Sequence, residues 1–295
     1  MIFRNFLSLI VLTTVSSFFL SCPAEERTFF SGAKPRNFAH RGGAQVAPEN
    51  TLYAYRRALE VGTDIIELDV RSTKDNHIVV LHDQSVDRTT NGTGHVKELT
   101  LAELKKLDAA YRFSPDRGTT FPLRGKGLAV PTLEEVFREF PGVPVNIEIK
   151  EADPGIATPL AALIRRYNRE KLTLVVSSYE APMRRFRDLS PETHTGFTPS
   201  EARRLVFLEP EEDKTYRPPA AALQVPTRSG GIEVVTSETI DRAHRHGVEV
   251  HVWTINDENS MRRLVRMDVD GIMTDRPDLL KRVVQSEKQA KETAN

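Results

Sequence analysis

Short apolar runs alternate with segments of helical period along residues 36–285. The candidate strands are residues 37–40, 64–70, 78–81, 145–149, 172–177, 195–198, 222–225, 248–254 and 271–274. Amphipathic stretches lie between most of them, at 51–61, 131–140, 159–167, 237–246 and 257–267. Strand and helix in alternation argue a parallel sheet. One interval breaks the rule: residues 71–77 are too short for a helical crossover, so the second and third runs must form an antiparallel hairpin. Setting that returning strand aside leaves eight strands, the number that closes a (β/α)8 TIM barrel, with residues 83–130 as a short insertion after the second strand. Residues 99–107 are the one clear helix of that insertion. A doubly wound open sheet is the structural alternative, but no Gly-x-Gly-x-x-Gly follows the first strand to support its dinucleotide-binding form.

The start of the chain reads differently. Arg4 is the only charged residue among the first 21, and residues 6–20 are apolar apart from Ser and Thr. That run is shorter than the ~20 residues that span a bilayer. A charged start, a short apolar core and small residues before a break predict a secretory signal over 1–21. Cys22, the only cysteine, follows directly. Phe19-Leu20-Ser21-Cys22 resembles the lipobox of bacterial lipoproteins, which implies lipidation of Cys22 and anchorage of an exported chain to a membrane. The alternative is a plain signal cut nearby with Cys22 left as a free thiol. Residues 22–35 then serve as a linker, 36–285 as the barrel and 286–295 as a charged tail. One cysteine excludes a disulfide framework and a thiolate zinc site. With 41 basic and 41 acidic residues in the whole chain, a general electrostatic case for nucleic-acid binding fails.

Two strands carry the chemistry. In Asp64-Ile-Ile-Glu-Leu-Asp-Val70, Glu67 and Asp69 share one face, and Ile66, Leu68 and Val70 the other. Carboxylates facing into a barrel repel each other and are costly to desolvate, and a divalent cation removes that cost. In Val145-Asn-Ile-Glu-Ile-Lys150, Asn146, Glu148 and Lys150 share a face, adding a third carboxylate and a cation. An all-oxygen ligand set favours Mg2+ or Ca2+ over zinc. His40 ends the first strand and His82 the hairpin's return strand. With the turn centred on Asp75-Asn76, the pairing sets His82 opposite Asp69. Two histidines beside a metal-held phosphate can act as general base and general acid. His77, His95, His194, His244 and His246 read as ordinary core or surface residues. Glu49 and Asn50 precede a helix, where capping or bracing of the site are both open. Trp253, the single tryptophan, is placed either at the barrel mouth or in the core.

Taken in order, His40-Arg-Gly-Gly, Pro48-Glu-Asn-Thr51, Glu67-Leu-Asp-Val, Val80-Leu-His-Asp83, Asp87-Arg-Thr-Thr-Asn-Gly92, Asn146-Ile-Glu-Ile-Lys150 and Val252-Trp-Thr resemble the glycerophosphodiester phosphodiesterase family. The resemblance runs from about residue 36 to residue 282. It implies a TIM-barrel hydrolase that splits glycerophosphodiesters into glycerol 3-phosphate and an alcohol with Mg2+ or Ca2+. It implies Glu67, Asp69 and Glu148 as metal ligands, His40 and His82 as the acid–base pair, and Arg41 and Lys150 as phosphate-binding cations. It also suggests that Trp253 packs on the glycerol carbons. Two other readings stay open. A greasy rim at the barrel mouth would mark a phospholipase-type diesterase acting on lysophospholipids, though the polar insertion does not supply one. A surface lipoprotein that binds without catalysis is the other, opposed by the presence of all seven charged or histidine site residues.

Overall fold

The computed structural model describes residues 28–294, so the expected signal over 1–21 and Cys22 lie outside the described residues. Strand β1 (Arg36–Ala39) leads through helix α1 (Leu52–Glu60) to β2 (Ile65–Ser72), and β3 (Ile78–Val80) folds back on β2. Helix α2 (Leu101–Leu104) lies in the following insertion, and α3 (Leu133–Glu139) leads into β4 (Val145–Ile149). Next come α4 (Ala157–Arg166), β5 (Thr173–Ser177), α5 (Glu180–Leu189), β6 (His194–Thr195), α6 (Pro199–Val206) and α7 (Pro210–Asp213). Strand β7 (Ala222–Val225) precedes a small hairpin, β8 (Arg228–Ser229) and β9 (Ile232–Glu233). The last elements are α8 (Ser237–Arg245), β10 (Glu249–Val252), α9 (Glu258–Arg266), β11 (Gly271–Thr274) and α10 (Pro277–Ala294). The charged segment from 286 therefore continues the final helix.

Around the barrel the strands run β6, β5, β4, β2, β1, β11, β10, β7, each pair of neighbours parallel. A single parallel bridge between Gly196 and Ala222 joins β6 to β7, with Phe197 N–H donating to the Ala222 carbonyl at 3.0 Å. Gly196 is needed at this seam, because a Cβ there would stand 2.6 Å from Val176 Cγ1. The expected (β/α)8 barrel with an insertion after the second strand is the fold.

The period-2 pattern explains how the strands are placed. Ile66, Leu68 and Val70 of β2 and Val145, Ile147 and Ile149 of β4 face outward and join one core with Val136, Phe137, Leu160 and Ile164 of the helices. The alternate residues turn into the barrel. Phe38, Ile65, Leu174 and Met273 fill its interior with Phe29. Helix starts are fixed by side-chain caps: Thr51 Oγ1 accepts from Ala54 N–H, and Thr132 forms a capping box with Glu135. Thr236 caps α8, its Oγ1 accepting from Thr239 N–H, and Ser237 occupies the first helical position.

The hairpin register differs from the expected one by a residue. Val70 pairs with Val80, Arg71 with Val79 and Ser72 with Ile78, so Leu81, not His82, falls opposite Asp69. Thr73 N–H donates to the His77 carbonyl at 3.0 Å, leaving a three-residue loop in which Asn76 adopts φ 62°. A loop of three with a left-handed last residue replaces the two-residue turn, and the pairing slips accordingly.

Candidate active site

The C-terminal end of β1 turns sharply. Arg41 takes a left-handed conformation, φ 52°, which aims its N–H at Glu67 Oε2, 2.7 Å away. Gly42 follows at φ 82°, and a Cβ there would meet Ala54 Cβ at 2.7 Å and Tyr55 Cδ1 at 2.9 Å. Helix α1 therefore packs against the turn only because Gly42 has no side chain. His40 stands at the start of this turn.

Glu67, Asp69 and Glu148 converge as the strand faces require, with Asp69 and Glu148 directly paired across β2 and β4. Each offers an oxygen, and the three atoms lie within 4.8 Å of one another. Lys150 Nζ is 2.7 Å from Glu148 Oε1 and 3.4 Å from Asp69 Oδ1. Arg41 Nε is 3.4 Å from Asp69 Oδ2. Asn50 Nδ2 donates to the same oxygen at 2.8 Å, and Tyr55 Oη donates to Asn50 Oδ1 at 3.0 Å. Asn50 therefore braces the site, while Thr51 caps the helix.

Charge is unevenly satisfied across the cluster. Burial pushes the Glu67 carboxyl up and the neighbouring Asp69 charge adds to this, to about 7, against the opposing pull of His40 and the Arg41 N–H. Burial also works against charged Asp69, but Lys150 and Arg41 outweigh it and hold that carboxyl below its usual range. Asp69 Oδ1 is buried without a hydrogen-bond partner. An all-oxygen set, an orphaned carboxylate oxygen and a destabilised second carboxylate together fit a hard divalent cation.

Both strand-end histidines are held through Nδ1, and both line the cavity. His40 Nδ1 lies 2.6 Å from Asp275 Oδ1, and Asn256 Nδ2 donates to the other Asp275 oxygen at 2.7 Å. Burial opposes a charged His40, but Asp275 and Glu67 outweigh it and raise its pKa. His82 Nδ1 lies 2.7 Å from Asp83 Oδ1, and Arg71 Nη2 donates to the His82 carbonyl at 2.7 Å. Burial lowers the His82 pKa despite the Asp69 charge. Arg88, from the insertion, ties the two halves together. It donates to Asp83 Oδ2 at 2.7 Å and to Glu49 Oε2 at 2.6 Å, while Glu49 accepts from Arg41 at 3.2 Å.

His40, Arg41, Glu67, His82, Glu148 and Lys150 line one cavity of about 920 Å³, with Asp69 buried beneath them. Trp253 stands on its wall, 41% exposed, rather than in the core. A polar cleft of about 520 Å³, bounded by Arg71, Asp83, Ser178 and Tyr179, opens on the other side of His82 and Lys150. His95, read from sequence as an ordinary histidine, lines that cleft. Sequence reasoning also missed Asp275, Arg71 and Arg88. A strand-end position marks Asp275, in Gly271-Ile-Met-Thr-Asp275, as it marks His40.

Residues 40–279 match the Glycerophosphoryl diester phosphodiesterase family. A glycerophosphodiester phosphodiesterase from Caldanaerobacter subterraneus subsp. tengcongensis is 37% identical over 250 residues, covering 82% of this chain and 94% of the relative. One from Bacillus subtilis is 33% identical over 300 residues, covering 95% and 98%. The crystal structure of a glycerophosphodiester phosphodiesterase from Agrobacterium tumefaciens superposes with a TM-score of 0.66 at 32% identity, covering 83% of this chain and 98% of that one. With the family matched across most of the barrel, this chain belongs to the glycerophosphoryl diester phosphodiesterases.

Proposed function

We propose that this phosphodiesterase hydrolyses glycerophosphodiesters to glycerol 3-phosphate and an alcohol, using His40 and His82 as its acid–base pair. The observation that carries the reading is the placement of three convergent carboxylates between two histidines, each fixed by its own aspartate. Glu67, Asp69 and Glu148 would hold Mg2+ or Ca2+, which when bound supplies Lewis-acid polarisation of the phosphoryl oxygens. Arg41 offers a planar fork to two phosphate oxygens, and Lys150 a point charge to a third. Both balance the charge that builds on phosphorus substituents in the transition state. Asp275 and Asp83 favour the tautomer with hydrogen on Nδ1, so each Nε2 can exchange a proton with substrate oxygen. One ring removes the proton of the attacking hydroxyl or water, and the other delivers one to the departing alkoxide. Trp253 supplies an apolar face for the glycerol carbons.

Release of glycerol 3-phosphate from glycerophosphocholine, with and without chelator, tests this reading. Turnover that needs a divalent cation and disappears in His40→Ala supports it; chelator-insensitive turnover or a fully active His40→Ala protein refutes it. We further propose that the chain is exported and anchored through a lipid on Cys22, a reading supported by the charged start, short apolar run and single cysteine of the first 22 residues. Cys22→Ala should move the protein from the membrane fraction to the soluble one.

A further inference from the structure

Charge is distributed unevenly over the outside of the barrel. Residues 157–206 hold nine basic and five acidic residues, in a chain whose totals are 41 and 41. Much of the excess lies on three neighbouring helices, α4, α5 and α6, joined by Arg165 Nη2 donating to the Leu189 carbonyl and by the Arg187–Glu201 ion pair. Met183 and Phe186 of α5 are buried, which turns Arg184 and Arg185 out to solvent. Neither pairs with a carboxylate among the described residues, and nor does exposed Arg204 of α6, which lies over the Tyr216 ring. Arg165 and Arg166, exposed at the end of α4, reach Glu192 and Glu134 only at 3.8 and 3.7 Å. The helix dipole favours cations in a last turn, which accounts for Arg165, Arg166 and Arg204. It does not account for Arg184 and Arg185, in the middle of α5.

The described chain enters the barrel in the same sector. Phe29 is fully buried, and its N–H donates at 2.7 Å to the carbonyl of Lys171, in the turn between α4 and β5. The Phe30 ring meets His194 of β6 with centroids 4.8 Å apart. Lys34 Nζ lies 2.5 Å from Asp270 Oδ1 and fixes the rest of this segment. Cys22 stands six positions before Thr28, a span of at most about 22 Å. A lipid on Cys22 therefore holds the end of the barrel where β5 and β6 begin, beside the α4 arginines.

We infer that the α4–α5–α6 face lies against a bilayer surface carrying anionic phospholipid, with the mouth of the catalytic cavity turned to the aqueous side. The inference rests on the export-and-anchor reading above and adds the face and the orientation to it. Two separate features select a bilayer as the partner: a group of exposed arginines without carboxylates, and a tether too short to let that sector swing away. Each cation held within a Debye length of an anionic surface adds to the attraction. A basic patch and a lipid chain together hold a protein that either alone holds marginally. The patch alone therefore leaves Cys22→Ala in the soluble fraction of cells. The mouth faces the other way on two counts. Trp253 follows β10, which lies across the barrel from β5, and it stands at the C-terminal ends of the strands, whereas the tether arrives at their N-terminal ends.

The face is tested with the Cys22→Ala protein, which has no anchor. In low salt and at millimolar lipid it should partition onto mixed phosphatidylglycerol–phosphatidylcholine vesicles roughly tenfold better than onto phosphatidylcholine alone, and high salt should erase the difference. Arg184→Glu combined with Arg185→Glu should remove the preference and leave glycerophosphocholine turnover at the parent rate, since neither arginine lines the cavity. Orientation is tested with the anchored protein in vesicles whose head groups carry a nitroxide. Emission from Trp253, the sole tryptophan, should be unchanged. Asp188→Trp, at an exposed position of α5, in a Trp253→Phe background should give quenched emission. Equal partition onto the two vesicles, or a charge-reversed protein that partitions like its parent, overturns the face and leaves the Cys22 anchor standing. Binding to heparin without binding to anionic vesicles overturns it as well, because the partner is then a soluble polyanion. Quenching of Trp253, or none at position 188, overturns the orientation. If Cys22 carries no lipid, the anchor reading fails, while salt-sensitive partition of the Cys22→Ala protein still upholds the basic face.

Discussion

Asp275 Oδ1 lies 2.6 Å from His40 Nδ1, and Asn256 holds the opposite carboxylate oxygen. This links the last strand of the barrel to the first, with the ring's orientation set from one side only. Asp275→Asn retains the shape but can present an N–H to Nδ1, which favours the wrong tautomer. A fall in kcat of about a hundredfold or more is expected, with KM and the thermal midpoint little changed. Steady-state kinetics beside a melting curve checks it; a rise confined to KM would place Asp275 outside proton transfer.

Metal binding should be visible as stability. Glu67 and Asp69 are almost wholly buried beside each other, and burial with the Asp69 charge holds Glu67 up at about 7. A divalent cation that binds only the folded chain adds about 2.7 kcal/mol at a hundredfold excess over its dissociation constant. Mg2+ or Ca2+ should therefore raise the melting midpoint by several degrees, and chelator should reverse the rise. Asp69→Asn should abolish the metal-dependent part.

Arg88 offers a different handle because it touches neither phosphate cation nor histidine directly. Its guanidinium grips Asp83 and Glu49, the partners of His82 and Arg41. The side chain is 47% exposed, so its removal should cost little stability. Arg88→Gln should lower kcat by roughly ten- to a hundredfold through loosened His82. Arg88→Lys should recover only part of this, since an ammonium cannot hold two carboxylates by a planar fork.

A pH effect belongs to the opposite end of the barrel. Burial opposes a charged Glu249, but hydrogen bonds from His251 and Arg36 outweigh it and hold the carboxyl at about 2, against an ordinary 4.5. Burial keeps His251 from charging, so the cations that hold the carboxylate are Arg36, itself 1% exposed, and Lys34, 3.1 Å from Oε1. A folded pKa below the unfolded one gives stability that is complete above about pH 5 and disappears as pH falls toward 2. That contribution is at most roughly 3 kcal/mol. In urea unfolding, Glu249→Gln should be less stable than the parent at pH 7, and the gap should narrow steadily between pH 5 and pH 2–3.

The positions of Glu67, Asp69, Glu148 and Lys150 were legible because two-residue alternation leaves no choice once the Ile and Val faces are assigned. The number of strands followed from spacing in the same way. The hairpin register was not legible, because Asp75-Asn76 suits more than one turn length and Asn76 alone adopts the left-handed conformation. Arg88 and Asp275 escaped for another reason: each works on a residue distant in sequence, 39 positions for Arg88 to Glu49 and 235 for Asp275 to His40. The apolar side of the cavity was hidden too, since Phe207 and Ile232 stand in separate loops with no periodicity to connect them.

The seam at Gly196 and Ala222 divides the molecule mechanically. Strands β1, β2 and β4, which carry the histidine turn and the carboxylates, are knit by continuous register, whereas β6 and β7 meet at one bridge. The segments flanking that bridge, Phe197 to Phe207 on one side and Val225 to Val234 on the other, line the apolar side of the cavity. Amide exchange should therefore run faster around the seam than through β2 and β4. Such a partition would confine the breathing of the ring to the side away from the carboxylates, so that the reacting atoms keep their spacing.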